Sequence, residues 1–376
     1  MQKHTCVIVL AATMIASASC SAPRTAPASP SHGDPLGWSV KTLGPFGCGH
    51  RVLATSYAPP GGLPTRTIPV EVWYPTEETE GEHPVYGGLF RDKTALDDVA
   101  PAASAYAAGM PVVVHSHGHK GFAGNSARLM CHFASHGWLA VAPEHVGDTL
   151  PDAKDPVPLA LYIERPLDVR AALDLVRDLP ASDPLHGRAD LAHVAMTAHS
   201  FGTYSGWAVG GASVDSAQVR SGCASGEVGA CSDALVDAMS RDFSDARIAS
   251  LTLMAGAPRP FFATGGYDAV RKPVLMMSGT LNTVSNDKIM DAITKLDIGW
   301  ATIEGGCHQL FGLGNTVLGD SGCAVLPDEE GFAIVNPYAL AFARVHALGD
   351  RSDEVRGIVE APTTLSPRVR YVHESP

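Results

Sequence analysis

From residue 67 onward the chain alternates short apolar runs with longer amphipathic ones. "TIPVEVWYP" (Thr67 to Pro75) sets apolar and polar residues in turn, the pattern of a half-exposed strand. "MPVVVHSHG" (Met110 to Gly118) and "WLAVAPEH" (Trp138 to His145) are continuous apolar runs, as in strands buried on both faces. Between them, residues 126–136 read as a helix stopped by Gly137. "RPLDVRAALDLVRDLP" puts Val169, Leu173, Val176 and Leu179 on one helical face, with Pro166 in its first turn and Pro180 at its end. Further strands are expected at "AHVAMTA" (Ala192 to Ala198), "RIASLTLMA" (Arg247 to Ala255), "KPVLMMSGT" (Lys272 to Thr280) and "GWATIEG" (Gly299 to Gly305). A closing helix is expected over residues 336–347. Strands alternating with helices predict an α/β fold, a mainly parallel central sheet with helices on both faces. One domain over 38–348 accounts for the pattern, and residues 349–376 read as a loosely attached tail.

The N-terminus has a different pattern. "MQKHTCVIVLAATMIASASCSA" starts with Lys3 and continues in an apolar run too short to span a bilayer. Residues 1–20 therefore read as a signal peptide. "ASA" at Ala16 to Ala18 suits ordinary cleavage. "SASC" resembles a bacterial lipoprotein box, which implies membrane anchoring through a lipidated Cys20; Ser17 stands where that box prefers Leu. The Pro/Ala/Ser-rich residues 21–37 follow as a semi-extended tether. Hydrophobic residues make up 45% of the chain, enough for a sizeable core. A net charge of −12 without a cluster of Lys or Arg argues against a nucleic-acid partner.

Of eight cysteines, six lie beyond the signal region. An even number in an exported chain suggests disulfides. Pairing sequence neighbours gives Cys223 with Cys231 and Cys307 with Cys323, leaving Cys48 for Cys131. The alternative keeps some of them free and buried.

Useful chemistry in an open parallel sheet gathers at the carboxyl ends of its strands. "VAMTAHSFGTYSG" places Ser200 between a strand and a helix, with Gly202 two residues on, although Ala198 replaces the first glycine of Gly-x-Ser-x-Gly. "HSHGHKGF" follows an upstream strand, so the backbone N–H of His119 and that of Phe201 can form an oxyanion hole. The alternating His115, His117 and His119 also admit a metal-dependent hydrolase reading, but Gly118 stands where such a motif needs Asp. "IEGGCHQLFG" supplies His308 after the last predicted strand, as a general base should be in the order Ser first, His last.

These residues resemble the α/β-hydrolase superfamily, especially exported dienelactone-hydrolase-like proteins and platelet-activating factor acetylhydrolases, and more distantly cutinase-like enzymes. "PVEVWYP", "PVVVHSHG", "FASHGWLAVAPEH", "AHSFGTYSG", "KPVLMMSGT" and "GGCHQLF" occur in the expected order over residues 45–348. The resemblance implies an α/β-hydrolase fold with Ser200 as nucleophile, His308 as base, the His119 and Phe201 amides as oxyanion hole, and no cofactor. The acid departs from the pattern. In "SGTLNTVSND" the matching position is Asn282, and Asp287 is the favoured replacement with Asn282 as the alternative. The expectation is a secreted or lipid-anchored serine esterase acting on small or lipid-like carboxylic esters. A hydrolase-fold ligand-binding lipoprotein with weakened catalysis is the alternative, because an amide supplies no charge to the imidazolium.

Overall fold

The computed structural model describes residues 32–256, 261–282, 293, 295–314, 325–360 and 364–374. The signal region and most of the tether, residues 1–31, lie outside that set, as do Asp287 and Cys323.

The strands are β1 (Gly47–Tyr57), β2 (Arg66–Thr76), β3 (Val85–Tyr86), β4 (Phe90–Arg91), β5 (Ala95–Asp97) and β6 (Met110–Ser116). They continue as β7 (Leu139–Pro143), β8 (Ala189–His199), β9 (Ile248–Met254), β10 (Val274–Gly279), β11 (Ile298–Ile303) and β12 (Val369–Glu374). Ten of them form one sheet in the order β12-β11-β10-β9-β8-β6-β7-β2-β1-β5. β7, β6, β8, β9, β10 and β11 run parallel, while β2 joins β7, and β12 joins β11, antiparallel.

The continuous apolar runs are strands covered on both faces. Val112 and Val114 of β6 enter one core and Val113 the other; on β10 Val274 and Met276 part from Leu275 and Met277 in the same way. One face is covered by helices α2 (Leu159–Arg177), α3 (Gly202–Gly210), α4 (Ser216–Ser225) and α5 (Asp233–Met239). The other carries α1 (Ala127–Ser135), α6 (Asp328–Ala347) and α7 (Asp353–Val359).

Two expectations need correction. α2 begins at Leu159, so Pro166 lies inside the helix rather than in its first turn. Pro166 has no N–H for the Tyr162 carbonyl four residues back. The Tyr204 hydroxyl donates to that carbonyl instead, at 2.9 Å, and the helix continues through the proline. Residues 349–376 are not a loose tail over their described part. Val355, Ile358 and Val359 of α7 are buried, and β12 pairs with the whole length of β11. That segment is short, and its burial depends on partners distant in sequence.

The disulfides Cys48–Cys131 and Cys223–Cys231 are formed as the neighbour pairing expects. Cys307 is disulfide-bonded too. Such bridges belong to a chain matured in an oxidising compartment. Among the described residues, no helix is long and apolar enough to cross a membrane.

Candidate active site

The strand order reverses beside β6: β7 lies on one side of it and β8 on the other. A crevice forms at such a reversal, at the carboxyl ends of the strands. Ser200 stands there, directly after β8, with φ at 55°. A non-glycine residue in that region is strained and must be held by its surroundings. Its N–H donates to the Met254 carbonyl at 2.9 Å, and its own carbonyl accepts from the Thr203 hydroxyl at 2.7 Å.

Close backbone approach explains the neighbouring glycines. A Cβ at Gly202 would lie 2.0 Å from the Ser116 carbonyl oxygen, and one at Gly118 would lie 2.8 Å from Ser200 Cβ. The Ala198 methyl is not crowded by α3: even a Cβ at Gly206 would stand 3.8 Å from it, an ordinary contact.

His308 follows β11. Its Nε2 is 2.8 Å from Ser200 Oγ, and its Nδ1 is 3.0 Å from Asn282 Oδ1. The Asn282 and His308 loops meet backbone to backbone, since a Cβ at Gly279 would lie 2.0 Å from the Gly306 carbonyl oxygen. The Leu281 N–H donates to that carbonyl at 3.0 Å. Burial holds the His308 imidazole below the usual histidine range. Asp287, the favoured acid in the sequence, lies outside the described residues; Glu304 is exposed.

The histidines of "HSHGH" do not converge. His115 Nδ1 meets the Thr197 hydroxyl at 2.9 Å, and His117 Nδ1 donates to the Gly118 carbonyl at 2.8 Å. His119 bridges the Asp148 and Asp155 carboxylates. Among the described residues, no group of three or more His, Cys, Asp or Glu is arranged to hold a metal ion. Each ring is turned to a separate partner.

Residues that the sequence reading passed over brace the site. Arg165 on α2 is fully buried, paired with the equally buried Asp148, and donates to the His117 carbonyl. Its guanidinium lies 4.6 Å from the centroid of the Phe201 ring. One cation thus touches both backbone segments expected to supply oxyanion donors. No local pattern marked it, because its burial and its pairing with Asp148 arise only when α2 packs against the loop after β7.

A cleft of about 720 Å3 contains Ser200 and His308 and is lined by Leu89, Phe90, Phe122, Leu150 and Leu313, among others. The Phe90 and Phe122 rings stack at 5.4 Å. Leu150 lies on the connection between β7 and α2.

No family model matches the chain, and no curated protein matches it. Among solved structures it is similar to a ferulic acid esterase from Streptomyces cinnamoneus, with a TM-score of 0.59 at 19% identity. The alignment covers 87% of this chain and 96% of that one. The chain has the α/β-hydrolase fold. Within that fold, Ser200 and His308 occupy loops at the carboxyl ends of β8 and β11, and His119 lies on the loop after β6.

Proposed function

We propose that the chain is an exported serine hydrolase of carboxylic esters, with Ser200 as nucleophile and His308 as general base. The observation that carries this reading is the relay from Ser200 Oγ to His308 Nε2 at 2.8 Å and from His308 Nδ1 to Asn282 Oδ1 at 3.0 Å. An amide oxygen accepts the Nδ1 proton and leaves the Nε2 lone pair for the serine hydroxyl. Asn282 is assigned the orienting role that the sequence left open.

In acylation, Ser200 Oγ bonds to the ester carbonyl carbon as its proton passes to His308 Nε2. The carbonyl oxygen takes the negative charge, facing the His119 amide on the loop after β6 and the Phe201 amide at the start of α3, where the helix dipole adds to the pull. The tetrahedral centre then breaks its bond to the alcohol oxygen, which takes the proton from His308. Water repeats the sequence: its proton goes to His308, its oxygen bonds to the acyl carbon, and Oγ leaves and regains a proton. The apolar cleft and its stacked phenylalanines suit an ester with an apolar or aromatic group, in keeping with the ferulic acid esterase named above. The disulfides and the signal-like start support export, with Cys20 as the candidate lipid anchor.

Fluorophosphonate labelling with peptide mapping tests the reading. Ser200 should be labelled, and Ser200→Ala should lose both labelling and p-nitrophenyl ester turnover. Turnover that survives in Ser200→Ala sinks the proposal. The neutral Asn282 keeps a second reading in play, a ligand-binding protein with weakened catalysis; labelling without turnover at any acyl length would favour it.

A further inference from the structure

We propose that His199 is a positioning residue that fastens the His308 loop to the nucleophile turn. The proposal rests on the Ser200–His308 reading and explains how a base whose Nδ1 meets an amide keeps its place. His199 is the last residue of β8 and directly precedes Ser200. Its Nε2 lies 2.9 Å from the His308 backbone carbonyl. A carbonyl only accepts, so the proton sits on Nε2 and Nδ1 carries a lone pair.

That Nδ1 is buried and has no hydrogen-bond partner among the described residues. A Cβ at Gly312 would lie 3.5 Å from it, in ordinary contact, so a side chain at that position would pack directly against the ring. An orphaned buried acceptor is costly, and the fold keeps it where the bond on the other side of the ring offsets the loss. The His199 and His308 rings also contact each other, with centroids 4.8 Å apart. Burial, and secondarily the neighbouring His308 imidazole, holds His199 well below the usual histidine range, so it stays a neutral donor.

Geometry gives this bond its consequence. Asn282 fixes the ring of His308 from Nδ1, and His199 fixes its backbone, so the Oγ–Nε2 distance is set from both ends. A carboxylate would draw a displaced imidazolium back by charge. An amide attracts it far less, and the backbone anchor must hold the position.

The test uses the full chain and two kinds of variant. His199→Gln carries an N–H close to the place of Nε2, whereas His199→Leu and His199→Met carry none. The donor-less variants should lose about 10- to 100-fold in kcat, with KM changed less than about 2-fold. His199→Gln should recover kcat to within about 3-fold of the parent. Thermal unfolding identifies a variant that fails to fold, and having two donor-less variants keeps the comparison available. Equal kcat in the Gln variant and a folded donor-less variant overturns the proposal. In an Asn282→Asp background the donor-less penalty should shrink, and an unchanged penalty overturns the link to Asn282. Turnover surviving in Ser200→Ala is a different result and strikes the catalytic reading itself.

Discussion

At Nδ1 of His308 the acceptor is an amide oxygen, 3.0 Å away. Orientation and charge, which a carboxylate supplies together, are here separated. In the proposed mechanism the amide selects the tautomer with a free Nε2, but adds little stabilisation to the imidazolium of the transition state. It also leaves burial as the cause that moves the His308 pKa, and burial moves it down. A base must be neutral to act, so activity rises with pH through this pKa. A lowered pKa therefore places the acid limb of kcat/KM below the ordinary histidine value of about 6.5. Asn282→Asp adds a negative charge that favours the protonated ring, so the limb should move to higher pH while the plateau kcat rises. Asn282→Ala should keep a low limb and lose about 10-fold or more in kcat, because the tautomer is no longer selected. Profiles of kcat/KM against pH for the three proteins check both statements. A limb that stays in place in Asn282→Asp would show that another group partners Nδ1.

Two segments meet at Ser200: the turn from β8 to α3 and the loop after β6. Arg165 of α2 reaches both, through the His117 carbonyl and the Phe201 ring. Arg165→Met should cost about 3 kcal/mol of stability, because it removes the fully buried cation from the Asp148 carboxylate and leaves it only the part-exposed His119. Adding Asp148→Asn should restore much of that stability but not kcat, since the His117 and Phe201 segments remain unbraced. Denaturant unfolding read beside turnover separates the two effects; full recovery of kcat in the double variant would remove Arg165 from the site's support. The contrast between these residues and Ser200 shows what sequence conveys. Ser200 and His308 follow apolar strands whose pattern is local, so their places at the sheet's carboxyl edge were legible. Asn282 was legible as a position, and its contact with His308 was not, because two loops must first pack through Gly279 and Gly306. Arg165 and Asp148 carry no local signature; their meaning lies in a pairing between α2 and the loop after β7. The burial of β12 likewise depends on β11, about 70 residues earlier.

At the scale of the molecule, two cores on opposite faces of one sheet hold the site's loops from behind. The two described disulfides are distributed between them. Cys48–Cys131 joins β1 to α1 across 83 residues, on the face that also buries α6. Cys223–Cys231 closes only eight residues at the end of α4. A cross-link restricts the unfolded chain more when its loop is longer. The chain-entropy relation gives about 4.5 kcal/mol for the first and about 2.5 kcal/mol for the second, as upper values. Replacing Cys48 and Cys131 by Ser should therefore lower the melting temperature more than the same change at Cys223 and Cys231. Neither bridge lines the cleft at Ser200 and His308, so kcat well below the transition should match the parent in both double variants. Calorimetry on the three proteins under oxidising conditions orders them directly. An equal or reversed order would mean that α4 and α5 depend on their short bridge for packing, and that loop length does not govern the stability of this fold.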